Sequence, residues 1–108
     1  MRFEWDENKS RQNLLKHYVR FETATLVFDD PYMLLEQDLT GNDERWNTLG
    51  SVAPGIVLFV VHTWFEVDSE EVIRIISGRA AESRERKKYE EARQGAKARH
   101  RQARRYER

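Results

Sequence analysis

The run Ile56-Val57-Leu58-Phe59-Val60-Val61 is apolar at all six positions. A strand with one wet face alternates apolar and polar side chains, whereas a strand covered on both faces does not. The run lies inside a longer extended segment, Gly55 to Glu66, and predicts the central strand of a sheet. Tyr32 to Asp38, Glu44 to Leu49 and Val72 to Ser77 read as three further strands. The separators are Thr40-Gly41-Asn42-Asp43, Ser51-Val52-Ala53-Pro54-Gly55 and Asp68-Ser69-Glu70-Glu71, all turn-forming. A parallel link needs a crossover of about a dozen residues or more, so these four strands pair antiparallel. A short first strand precedes them, with Phe3 and Trp5 on one side and Arg2 and Glu4 on the other.

Helical periodicity brackets the strands. Asp6 is placed to cap a helix from Glu7 to His17, its carboxylate accepting from otherwise unpaired amides. Phe21, Ala24, Thr25 and Phe28 recur at spacings of three and four, which predicts a second helix over Phe21 to Asp29. Asp29-Asp30-Pro31 ends it, because the residue before proline is pushed out of the α region. The helix period returns at Ala81, and Gly95 is expected to break it. The predicted class is α+β: two N-terminal helices, an antiparallel sheet of four to five strands and a C-terminal helix. The helices are expected to cover one sheet face and leave the other open.

A chain of 108 residues makes one domain, with 1–91 as its body and 92–108 as a basic C-terminal tail, helical or disordered. There is no cysteine, which excludes disulfides, thiolate metal sites and cysteine nucleophiles. His17, His62 and His100 are far apart in sequence and lack metal-ligand spacing, so neither metal nor cofactor is expected. No apolar run approaches the roughly 20 residues of a membrane helix, and acids stand where a signal peptide is apolar. The expected compartment is the cytoplasm. The formal net charge is zero. Residues 92–108 carry seven Lys or Arg against Glu107 alone, a surplus of six, so residues 1–91 carry a matching excess of acid. A basic tail on an acidic body fits contact with nucleic acid or with an acidic partner, and equally a solvated helix end.

Few side chains carry a chemical signal. Alternation along Val72 to Ser77 sends Ile73 and Ile75 one way and Arg74 the other. If the isoleucines lie under the helices, Arg74 projects from the open face, with Arg79 just past the strand. Guanidinium forks suit a phosphate and its transition state. For either arginine alone, a structural salt bridge to Glu44, Glu66 or Glu70 is the commoner arrangement. His62, on the central strand, has the titration range for acid–base work, though a lone strand histidine is more often a satisfied core residue. His17 stands where a helix dipole favours a cation. Trp46, Trp64 and Phe65 can stack on a base or fill a core.

Taken together the residues resemble a known family. Phe3-Glu4-Trp5-Asp6-Glu7-Asn8-Lys9, Asn13, Lys16-His17, Phe21-Glu22, Ala24 and Val27-Phe28-Asp29-Asp30-Pro31 resemble the N-terminal half of BrnT toxins. Glu44-Arg45 with Gly50 resembles the middle motif. Val60-Val61-His62-Thr63, Arg74-Ile75-Ile76-Ser77-Gly78-Arg79-Ala80-Ala81, Glu85-Arg86 and Tyr89-Glu90 resemble the C-terminal half. The resemblance covers residues 1 to about 91. Tyr18 stands where the family usually has glycine, Gly78 where alanine is common, and Phe65 near a frequently basic position.

The resemblance implies a RelE-like fold and the toxin of a type II toxin–antitoxin pair, a ribonuclease acting on cellular RNA without a metal. It implies a BrnA-type antitoxin that dimerises through a ribbon-helix-helix part, with operator DNA bound only through that antitoxin. Homodimer or heterotetramer stays open. On this reading Arg74 and Arg79 hold the scissile phosphate, His62 moves protons, and Lys16, His17 and Arg45 contact RNA. Two alternatives remain: a non-catalytic binding partner or co-repressor, and a nucleic-acid-binding module using the tail.

Overall fold

The computed structural model describes residues 1–41 and 44–106, with side chains described as far as residue 99. The order is β1 (Arg2–Glu4), α1 (Glu7–His17), α2 (Phe21–Ala24) continuing as a 3-10 turn over Thr25–Asp29, β2 (Leu34–Asp38), β3 (Arg45–Ala53), β4 (Ile56–Val67), β5 (Glu70–Ala80) and α3 (Ser83–Tyr106). One five-stranded sheet runs β1-β5-β4-β3-β2. The apolar run is central as expected, since β4 pairs antiparallel with both β3 and β5. β2 to β5 form the expected antiparallel set. β1 differs: it pairs parallel to β5, Arg2 opposite Val72 and Glu4 opposite Arg74, which makes the sheet mixed. The connection from β1 to β5 spans the rest of the fold, so hairpin reasoning does not apply to it.

Local chemistry sets the first helix. Asp6 Oδ1 accepts from the amides of Asn8 (2.8 Å) and Lys9 (3.3 Å), the predicted cap. Inside α1 the buried residues are polar, Ser10 and Asn13. Asn13 donates to the carbonyls of Gly78 and Val19, both at 2.8 Å, and accepts from the Gly78 amide at 3.2 Å. β1 pairs only with the start of β5, so Asn13 satisfies backbone groups on the edge that β1 leaves uncovered.

The main core lies between the sheet and α1–α2, where Phe21, Ala24, Val27, Leu58, Val60, Ile73 and Ile75 are buried. Gly50 is required here: a Cβ would stand 2.7 Å from Val27 Cβ and 2.9 Å from its carbonyl oxygen. A second cluster, Leu49, Val57 and Tyr89 with Phe59 and Tyr32 beside it, sits under α3 on the opposite face. The expectation that all helices share one face is therefore corrected. Tyr89 is 1% exposed, and its hydroxyl donates to Asp30. Burying that ring holds the first turns of α3 against the end of the sheet nearest Leu49. α3 also runs through Gly95 without a break, contrary to expectation. Glycine in a helix interior costs only about 1 kcal/mol, and Ala96, Lys97, Ala98 and Arg99 are strong helix formers. Among the described residues no helix is long and apolar enough to cross a membrane.

Candidate RNA-binding cleft

One irregularity in β5 sets which side chains share a face. Val61 is opposite Ser77 but His62 is opposite Ile75, so Ile76 is an extra residue in the ladder. A bulge of this kind shifts alternation by one. Arg74 and Arg79 are an odd number of positions apart, and the bulge nonetheless places them on the same face. Arg74 pairs with Thr63 and Arg79 with Phe59, both on the face that carries α3.

α3 covers only the Leu49–Phe59 end of that face. At the other end a cleft of about 440 Å³ is lined by Lys9, Glu44, Arg45, Thr63, Trp64, Phe65, Arg74 and Ile76. Arg45 starts β3 and Arg74 lies near the start of β5. Lys9 reaches the cleft because α1 runs along the β5 edge. Among the described residues the lining therefore holds three cations against one carboxylate. Arg74 is exposed and its Nη1 stands 3.5 Å from Glu4 Oε1, its neighbour across the β1–β5 ladder. Arg45 lies opposite Asp38. The Asp38 carboxyl is held below its ordinary value chiefly by the Thr40 hydroxyl and amide, with Arg45 adding to the effect. Thr63 Oγ1 is buried without a hydrogen-bond partner among the described residues. Phe65 is 41% exposed, so an aromatic surface meets solvent beside the cations.

The other residues singled out from the sequence lie elsewhere. His62 is fully buried on the opposite face, with its ring 4.9 Å from that of Phe28 in an edge arrangement. Nδ1 is 3.0 Å from the Thr63 carbonyl, which can only accept, so that nitrogen carries the proton. Nε2 then accepts from the Thr48 hydroxyl at 2.7 Å. Burial lowers the imidazole pKa, against the Thr63 carbonyl bond, which raises it. A neutral, fully bonded imidazole beside Phe28 of the 3-10 turn lies on the far side of the sheet from the cleft. Arg79 lies near the start of α3, with its guanidinium over the Phe59 ring and bonded to Glu85. Lys16 and His17 occupy the last turn of α1, about two turns from Lys9, and line no part of the cleft. The structure thus brings Arg45 and Arg74 together and leaves Arg79, His62, Lys16 and His17 apart from them.

Lys9, Thr63 and Glu4 join the site without a sequence pattern that marks them for it. The signal for Lys9 is the two-residue link between β1 and α1, which becomes informative only once β1 is known to pair with β5. Chemically, the cleft offers guanidinium and ammonium groups for a phosphodiester, a hydroxyl beside them, and Phe65 for a base. The Trp64 ring packs beside Phe28 and His62 on the opposite face. Among the described residues no group of three or more His, Asp or Glu is gathered as for a metal ion.

Comparison with known proteins agrees with this chemistry. The family described as the ribonuclease toxin BrnT of type II toxin–antitoxin systems matches residues 5–85. Among solved structures, the 1.1 Å crystal structure of the Brucella abortus ribonuclease toxin BrnT superposes with a TM-score of 0.55 and 26% sequence identity, covering 77% of this chain and 99% of that one. No curated protein matches the chain.

Proposed function

This chain belongs to the BrnT family of type II toxin–antitoxin ribonuclease toxins, and from that premise we propose that it cleaves cellular RNA in the Arg45–Arg74 cleft to inhibit translation. The observation that carries the proposal is the cleft itself, where Lys9, Arg45 and Arg74 surround an open groove beside exposed Phe65. In the proposed reaction the RNA 2′-oxygen attacks the adjacent phosphorus and the bond to the 5′-oxygen breaks, leaving a 2′,3′-cyclic phosphate. Glu44, the one carboxylate lining the cleft among the described residues, accepts the 2′-hydroxyl proton, and the departing 5′-oxygen takes a proton from water. Arg74 and Arg45 stabilise the charge that gathers on the phosphoryl oxygens, where preorganised donors act most strongly. No metal enters this scheme.

Type II toxins are paired with a protein antitoxin, and the proposed partner is a BrnA-type protein that restrains this one in the cytoplasm. Arg79 acts through Glu85, anchoring α3 to β5, and does not hold the phosphate.

The experiment incubates purified protein with defined RNA in chelator and maps the ends. The parent is expected to leave cyclic phosphates, and Arg74→Ala to slow cleavage by about 10²–10³-fold, the usual effect of losing one transition-state donor. Its unfolding midpoint should hold, because a half-exposed bridge at 3.5 Å contributes at most about 1 kcal/mol. Equal cleavage by parent and variant removes Arg74 from the mechanism. No cleavage of any RNA by the parent, freed from its partner, overturns the proposal.

A further inference from the structure

The two halves of α3 differ in kind. From Ser83 to Glu91 acids and bases are mixed, with Glu85, Glu90 and Glu91 among them. From Arg93 to Tyr106 there is no acid, while Arg93, Lys97, Arg99, Arg101, Arg104 and Arg105 are all basic. The first half is fixed to the body by buried Tyr89 and by Lys88 paired with Glu36. The anchoring ends at Tyr32, whose ring lies 5.7 Å from both the Arg93 guanidinium and the Lys97 ammonium. Beyond it the helix continues for roughly two and a half turns. The family match ends at residue 85, so this segment is an addition to the part that defines the family.

We propose that the distal half of α3 is an RNA-binding arm, taking the sugar–phosphate backbone of single-stranded RNA at a place separate from the cleft. The proposal rests on the ribonuclease reading for the identity of the polyanion. Three observations converge on it. Positions 93, 97, 101 and 105 form one i,i+4 row of like charge, which repels itself along the helix. Arg99 has Gly95, Ala96, Gln102 and Ala103 at the helical neighbour positions, so no carboxylate on α3 can neutralise it. The rest of the chain carries a net negative charge, which by itself repels RNA. An arm that releases counterions from the backbone supplies the attraction the body lacks. Its anchor also places it. Tyr32 and Arg93 line one pocket with Ser51, Val52 and Ala53 at the end of β3, whereas the cleft is built on Arg45 at the start of β3. Arm and cleft therefore lie toward opposite ends of β3, and only an RNA long enough to cross the face engages both.

The test uses the full chain and 2′-O-methyl RNA, which lacks the attacking hydroxyl and reports binding alone. The fourfold variant Arg99→Gln, Arg101→Gln, Arg104→Gln and Arg105→Gln keeps helix-forming side chains and loses the charge. A long probe is expected to bind about tenfold or more weakly, with a salt slope shallower by about 0.7 for each phosphate the arm no longer neutralises. A tetranucleotide is expected to bind as before, and the corresponding fourfold lysine variant to restore the long-probe affinity. Unchanged affinity and slope for the long probe overturn the arm. Equal weakening of both probes also overturns it, as does a fourfold variant that binds RNA normally but loses its protein partner. The readout is independent of cleavage: a protein that binds through the arm yet cuts no RNA leaves this inference standing and removes the ribonuclease reading.

Discussion

Arg79 and Glu85 meet at two points, Nη1 to Oε1 at 2.7 Å and Nη2 to Oε2 at 3.0 Å, while the guanidinium lies 4.2 Å over the Phe59 ring. The pair joins the end of β5 to the first turn of α3. Its side chains are 31% and 20% exposed, so water screens it only in part. Glu85 Oε1 also accepts from the Glu82 amide at 2.8 Å, so one carboxylate both caps the helix and docks it.

This geometry makes Glu85→Gln destabilising, by about 1–2 kcal/mol for a charge-assisted pair that is not fully buried. The pH dependence has a definite sign. The Arg79 hydrogen bond holds the Glu85 carboxyl below its ordinary value. A carboxylate depressed on folding adds stability above its unfolded pKa of about 4.3, and that stability is lost as pH falls through the lower folded value. Urea midpoints measured from neutral pH into acid should fall more steeply for the parent than for Glu85→Gln. Parallel acid limbs would sink the assignment.

His62 predicts the opposite group at work in the same titration. Burial depresses its pKa, so the unfolded chain takes up a proton near pH 6.5 that the folded chain refuses. Stability from this group is whole above about pH 6.5 and declines as pH falls from there toward the lowered folded value. His62→Gln should flatten that decline and cost about 1–3 kcal/mol at neutral pH, because the Thr48 and Thr63 bonds are disturbed. Folded His62→Gln protein should still cleave RNA. A variant that is fully folded but inactive would return the imidazole to the mechanism.

What the sequence disclosed, and what it hid, follows from the range of each interaction. The Asp6 cap, the proline stop at Asp30-Pro31 and the central place of the apolar run in β4 are local patterns that appear as read, except that Ile56 at the head of the run is exposed. The partners that decide the site are remote. Thr48 satisfies His62 from 14 positions away, and no local pattern announces it. The extra residue at Ile76 breaks the alternation on which every facing argument depends, yet isoleucine is no signature of a bulge. Simple alternation puts Arg74 on the face away from α1 and α2, as the structure does, because the bulge comes after it. Arg79 shares that face only because of the bulge. Tyr89 sends α3 to the second face through contacts with Leu49 and Val57, strands distant in sequence.

Asn13 offers a test of the β5 edge. Its side chain serves three backbone groups, the carbonyls of Val19 and Gly78 and the Gly78 amide. Asn13→Ala leaves all three unpaired beneath α1 and should cost about 2–4 kcal/mol. Asn13→Asp keeps the shape but turns a carboxylate toward two carbonyl oxygens, and should be at least as damaging at neutral pH. Denaturant titration distinguishes these outcomes from a mere surface effect, for which the loss stays within about 0.5 kcal/mol.

Tyr18 gives a prediction of the other sign. It ends α1 in the left-handed conformation, φ 61° and ψ 25°, with its amide donating to the Leu14 carbonyl at 2.9 Å. That conformation crowds the Cβ of an L-residue at a cost of about 1–2 kcal/mol, and glycine escapes it. The side chain is 87% exposed, so removing it sacrifices almost no packing. Glycine in turn loses more backbone freedom on folding, which offsets about 0.5–1 kcal/mol of the relief. The net expectation for Tyr18→Gly is a gain of about 0.5 kcal/mol. Tyr18→Asn should fall between glycine and the parent, because asparagine tolerates this region. Tyr18→Val should lose stability, since a β-branched side chain fits it worst. The order Gly, Asn, Tyr, Val in melting temperature checks the strain directly, and a valine variant as stable as the glycine one would show that the cap is not strained.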